Sequence, residues 1–132
     1  MSFVLEDQQR LLVRTIRDFV KRELMPLEDT VEAQGFLADD IATEIQQKSR
    51  DLGLYAVNIP TEYGGSGLSV FDWMLAEEQY GHTSDILIRR AFGNVYEILL
   101  EGNAEQIETY LLPTVRGERT CSVAFTEPAA GS

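Results

Sequence analysis

At 132 residues the chain has the length of one domain, enough to bury about two thirds of the surface it exposes when unfolded. Hydrophobic residues at 44% and charged residues at 25% exclude a disordered or low-complexity polypeptide. The 22 acidic residues against 11 basic ones give a net charge of −11, a surface that repels phosphate backbones and anionic lipid and argues against nucleic acid and membrane partners.

Cys121 is the single cysteine, so no intrachain disulfide can form, and the composition fits a reducing cytosol. Met1 to Asp7 lacks a basic segment followed by an apolar run, and its acids argue against a transit peptide. No apolar run approaches the roughly 18 residues needed to span a bilayer.

Leu5, Leu12, Ile16, Phe19 and Val20 fall at helical spacing and predict a helix from Glu6 to Glu23. Met25-Pro26 stops it, because the proline ring disfavours the α region for Met25. A short helix follows through Leu27 to Ala33 and ends at Gly35. Asp39 or Asp40 caps a third helix, with Ile41, Ile45 and Leu52 as its apolar stripe and Gly53 as its left-handed end. Residues 54–67 carry Pro60, Gly64, Gly65 and Gly67 and read as a loop. Gly64-Gly65 lacks the Lys-Ser/Thr ending of a phosphate-binding loop.

Ser69 and Asp72 form a capping pair for a fourth helix that ends at Gly81, with Trp73 and Tyr80 in the core. His82 stands alone at a helix end, and a metal needs several ligands, so no metal site is predicted. Ser84 caps a fifth helix, Asp85 to Glu101, with Ile86, Leu87, Ala91, Val95, Ile98 and Leu99 on its apolar face. Asn103 with Gln106 opens a sixth, in which Pro113 makes a kink or marks the final turn, and Gly117 ends it. The expectation is an all-α, up-and-down helical bundle of about six helices over residues 1–117.

The last stretch changes period. Cys121, Val123 and Phe125 alternate with Ser122, Ala124 and Thr126, which predicts a short β-strand ended by Pro128. Ala-Gly-Ser follows, with side chains small enough for a sharp turn or for close approach of a ligand. On the residues alone this is either a strand end with a proline turn and Ser132 as a helix N-cap, or a ligand-facing loop.

Ala124-Phe125-Thr126-Glu127-Pro128-Ala129-Ala130-Gly131-Ser132 resembles the flavin-strand signature of the acyl-CoA dehydrogenase family, Thr-Glu-Pro-x-Ala-Gly-Ser-Asp, up to its closing Asp. The helices before it resemble that family's N-terminal domain, and the Pro60 to Gly65 loop is similar to one that joins two of its helices. The resemblance implies that residues 118–132 open a middle β domain, here truncated. It implies FAD as cofactor, an acyl-CoA thioester as substrate and α,β-dehydrogenation as the reaction. It also implies electron-transfer flavoprotein or a similar acceptor as partner, homo-oligomeric assembly and a cytoplasmic flavoprotein.

By the same resemblance Val123, Phe125, Thr126, Gly131 and Ser132 bind the cofactor, Thr126 through its hydroxyl. Ser132, Tyr96 and Leu99 meet the substrate. The family's base is a glutamate of the C-terminal domain, so no catalytic residue is assigned in this chain; Glu77, Glu78 and Glu97 are not singled out by spacing or motif. Arg89-Arg90, a quarter turn apart on a helix, reads as a solvated pair or as a contact for a polar acyl group or a CoA phosphate. Alternatives are a same-fold acyl-CoA oxidase or flavin monooxygenase, or a non-catalytic helical interaction module. The 132 residues by themselves are expected neither to hold FAD tightly nor to turn over.

Overall fold

The computed structural model describes residues 4–124 and 126–130. Its regular elements are all helical. Helix α1 is Asp7–Phe19, α2 Glu28–Gln34, α3 Asp39–Asp51, α4 Val70–Tyr80, α5 Asp85–Phe92, α6 Ala104–Gln106 and α7 Leu112–Val115.

The starts of α1 and α4 are joined by one polar network. The Glu6 N–H donates to Gln9 Oε1 at 3.0 Å, and Gln9 Nε2 donates to Asp72 Oδ1 at 2.9 Å. Ser69 Oγ accepts from the Asp72 N–H at 3.1 Å, so the predicted capping pair is present. From there α1 and α4 run packed together, burying Ile16 and Phe19 of one against Ala76, Gln79 and Tyr80 of the other. Buried Gln79 keeps a partner because Arg17 Nε donates to its Oε1 at 3.0 Å. Helix α3 packs against α5 in the same manner. Phe92 of α5 stacks on Tyr80 with centroids 4.2 Å apart and meets Phe19 at 5.4 Å, tying the two helix pairs into one core.

Pro26 does not break the first helix as its ring geometry predicts. Met25 stays in the α region at φ −54° and ψ −36°. The chain instead widens to a π-helical turn at Val20–Leu24 and tightens to a 3₁₀ turn at Met25–Leu27 before α2. A widened turn makes room for the proline ring against the carbonyl four residues back. The same device precedes Pro113, where Ile107–Leu111 is the wide turn between α6 and α7.

Two caps differ from expectation. Ala38, not Asp39 or Asp40, is the N-cap of α3, and both aspartates sit in its first turn, where carboxylates favour the helix dipole. Ser84 is the N-cap residue of α5, but its Oγ is buried without a partner among the described residues. Gly53 has the expected left-handed backbone after α3, at φ +69°.

The fifth helix is shorter than predicted. It ends at Phe92 rather than Glu101, and a 3₁₀ segment, Glu97–Glu101, follows after an irregular break. Past the break, Val95, with Leu111 and Val115, joins Tyr55, Ala56 and Ile59 in a second core cluster, and Leu99 and Leu100 pack against it partly buried, whereas Ile98, expected on the apolar face, is exposed. The loop from 54 to 67 curls tightly there, and at Gly65 a Cβ would stand 2.0 Å from the Ile59 carbonyl oxygen. Only glycine admits that approach.

The predicted terminal strand makes no ladder among the described residues. A lone strand needs a neighbouring edge for its N–H and C=O groups, and a helical chain offers none.

Candidate functional site

The break at 93–96 opens onto a concavity with polar side chains in its walls. Gly93 stops α5 at φ +80° and ψ 160°, a conformation open to glycine, and a Cβ there would lie 2.8 Å from Tyr55 Cζ. Tyr55 is buried beneath it and is held by a loop that is itself strained, since Ala56 has φ +51°.

Two carbonyls at the break, those of Phe92 and Val95, find donors from the 54–67 loop. The Ala56 N–H donates to the Phe92 carbonyl at 2.9 Å, and Asn58 Nδ2 donates to the Val95 carbonyl at 2.8 Å and also to Glu97 Oε1. Asn94 then reaches outward. Its Nδ2 donates to the Tyr96 hydroxyl at 3.1 Å and to the Cys121 carbonyl at 3.4 Å. One side chain therefore ties the break to the terminal segment. Cys121 is half-buried, with Sγ 3.9 Å from Thr114 Oγ1.

Beyond Cys121 the chain turns to solvent. Val123 is 42% exposed and Thr126 is exposed. Glu127 and Ala130 exchange two backbone hydrogen bonds of 3.3 Å, closing a two-residue turn over Pro128 and Ala129. The predicted proline turn is thus present. Of the other predicted cofactor residues, Phe125, Gly131 and Ser132 lie outside the described residues.

Tyr96 lines a groove of about 300 Å³ with Trp73, Tyr80, Arg89 and Asn94 among its walls. Trp73, expected in the core, is half-buried there and donates from Nε1 to Glu77 Oε1 at 2.8 Å. The Tyr80 hydroxyl is buried with no partner among the described residues, and burial, with Glu77 second, pushes its pKa upward. Tyr55 is pushed upward as well, again by burial first. Leu99 is partly buried against the second core cluster, and Glu97 is exposed.

Asn94, Asn58 and Tyr55 were not singled out by motif. The signal available was Gly93-Asn94, a turn-forming pair inside an otherwise apolar helical pattern. Among the described residues no group of three or more His, Cys, Asp or Glu is arranged to hold a metal ion, and no helix is long and apolar enough to cross a membrane.

The family model for the acyl-CoA dehydrogenase N-terminal domain matches residues 6–118. A 3-(aryl)acrylate reductase of Clostridium sporogenes is 33% identical over 96% of this chain and 33% of its own length. The human mitochondrial short-chain specific acyl-CoA dehydrogenase is 30% identical over 99% of this chain and 32% of its own. Among solved structures, an acyl-CoA dehydrogenase from Bacillus anthracis complexed with FAD superposes with a TM-score of 0.76 at 28% identity, covering 96% of this chain and 22% of that one. Butyryl-CoA dehydrogenase from Megasphaera elsdenii gives 0.71 at 26% identity, over 99% and 35%. The chain spans about a third of the length of the relatives it matches.

Proposed function

The chain belongs to the acyl-CoA dehydrogenase family, whose N-terminal domain it carries, and on that premise we propose that it is the N-terminal part of an FAD-dependent enzyme that forms the α,β double bond of an acyl-CoA thioester. The observation that carries this reading is the join between domain and motif. The match ends at 118, Asn94 holds the Cys121 carbonyl at the helical break, and the signature-like stretch begins three residues further on, at Ala124. We place the domain boundary at Gly117, with residues 118–132 opening the β domain.

The residues present fit a flavin as one wall of its site. The segment at 121–124 makes no ladder among the described residues, which leaves backbone N–H groups for a ligand, and Thr126 is exposed beside a turn that brings small residues close. Thr126 and the backbone of Val123 and Phe125 would hold the ring where negative charge collects, a preorganised electrostatic arrangement. Gly131 and Ser132 would lie by the pyrophosphate and the thioester. Tyr96 and Leu99 would face the acyl chain, Tyr96 fixed in orientation by Asn94 and Arg89. When bound, the flavin supplies the hydride acceptor. No residue of this chain is assigned the α-proton.

One wall leaves a ligand open to water, where hydrogen bonds give little net affinity. The 132 residues alone therefore bind FAD weakly and do not turn over. Electron-transfer flavoprotein is the proposed acceptor, consistent with a relative described as a subunit of a caffeyl-CoA reductase–Etf complex, 31% identical over 96% of this chain. A cytoplasmic homo-oligomer is the proposed form.

The test is to express the chain with the sequence that continues its reading frame and record the visible spectrum before and after acyl-CoA. A yellow protein bleached by acyl-CoA is expected. A colourless protein, or a flavin indifferent to acyl-CoA, would overturn the reading.

A further inference from the structure

Arg89, Arg90 and Arg119 line one cavity of about 120 Å³ between α3, α5 and the turn at 117–120, and no carboxylate among the described residues shares that lining, although the chain has 22 acidic residues and only 11 basic ones. We propose that this cavity binds a short-chain carboxylate.

The three guanidinium groups have donors to spare. Arg89 spends Nε on Asp85 at 2.5 Å and Nη1 on the Tyr96 hydroxyl at 3.4 Å. Arg90 spends Nη2 on Asp39 at 2.7 Å, and Arg119 spends Nη1 on the Thr109 carbonyl at 3.2 Å. Each guanidinium carries five N–H groups in a planar fork that matches a carboxylate. The carboxylates of Asp39 and Asp85 are 97% and 72% exposed, so both pairs are hydrated and yield readily to a competing anion.

The floor selects carbon over a second charge. Ala42 and Tyr55 are buried there, and the Arg50 guanidinium sits 5.7 Å from the Tyr55 ring centroid, adding positive potential nearby. The volume equals about four waters' share of the liquid, room for a carboxylate and two or three methylenes but not for a nucleotide. The proposal stands on this cavity and does not depend on the flavin reading.

The test is an amide NMR titration of the isotope-labelled 132-residue chain with sodium butyrate, with inorganic phosphate and sodium chloride at matched ionic strength as separate arms. Butyrate is expected to shift the Gly117, Arg119 and Thr120 amides saturably, and chloride is not. Arg90→Gln should weaken butyrate by about tenfold or more, the loss of a charge-assisted hydrogen bond. Thr43→Glu, an exposed substitution that puts a carboxylate in the lining, should abolish binding and leave the rest of the spectrum intact. Equal shifts with chloride would overturn the proposal. So would phosphate binding without butyrate binding, or a folded Thr43→Glu protein that binds as the parent does.

Discussion

Arg119 Nη1 donates to the carbonyl of Thr109 at 3.2 Å, the carbonyl that Pro113, four residues on, has no N–H to reach. The guanidinium replaces a helical hydrogen bond that the sequence forbids. Arg119 and Pro113 should therefore be energetically coupled. Arg119→Ala is expected to cost about 0.5–1 kcal/mol in the parent, since the group is exposed. With Pro113→Ala the restored N–H serves the carbonyl, and that cost should fall by half or more. Urea unfolding of the four proteins measures the coupling, and strict additivity would mean that the two residues act independently.

Gly93 and Tyr55 define the second prediction. Gly93→Ala meets two obstacles, a backbone at φ +80° and ψ 160° and a tyrosine ring 2.8 Å from the new Cβ. Together they should cost about 3–5 kcal/mol. Gly35 supplies the control. It too has positive φ, at +74°, but nothing among the described residues lies within 4 Å of its Cβ position. Gly35→Ala should cost only about 1–2 kcal/mol, the backbone share alone. Equal losses at the two positions would remove the ring contact from the explanation.

Most of the helical framework was legible because its signals are local. Ser69 with Asp72, Asn103 with Gln106 and Gly53 act within one turn, and all three appear where the sequence places them. What could not be read was decided across the chain. Periodicity carried α5 through Gly93, because the reason for a glycine there is a ring 38 positions earlier, at Tyr55. Proline rules predicted a stop at Met25-Pro26, yet packing of Val20 and Leu24 in the core holds the helix together through a wide turn. The terminal stretch was legible as a period-two pattern, but a strand is a property of a pair. Asn94 escaped notice because its role depends on Cys121 being near.

Tyr80 gives a prediction with a pH signature. Its ring is buried and stacked on Phe92, and its hydroxyl lacks a partner among the described residues. An unsatisfied buried hydroxyl is unfavourable, so Tyr80→Phe should stabilise the protein by about 1 kcal/mol at neutral pH. The folded state raises the phenol pKa above its ordinary 10.0, so this group's stability contribution is whole below that value and is lost as pH climbs past it. Tyr55 shifts the same way and adds to the loss. Tyr80→Phe should therefore flatten the stability profile between about pH 9 and 11 without abolishing its slope. A destabilised variant would mean that the hydroxyl has a partner, such as an ordered water.

Thr126 separates folding from cofactor chemistry. Its side chain is exposed, so Thr126→Val should leave the unfolding free energy of the helical domain within about 0.5 kcal/mol of the parent. In the flavin-bearing protein the hydroxyl is proposed to donate toward the ring as negative charge collects there. A donor of that kind stabilises the reduced, anionic form more than the oxidised one. Losing it removes about 1.5–3 kcal/mol from the reduced state. For a two-electron couple, in which 1.4 kcal/mol corresponds to about 30 mV, the reduction potential should drop by about 30–60 mV. The measurement is a spectroelectrochemical titration of parent and variant, with urea unfolding of the same preparations. An unchanged potential with unchanged stability would remove Thr126 from the cofactor site. A potential that moved only together with a loss of stability would point instead to a rearranged terminal segment.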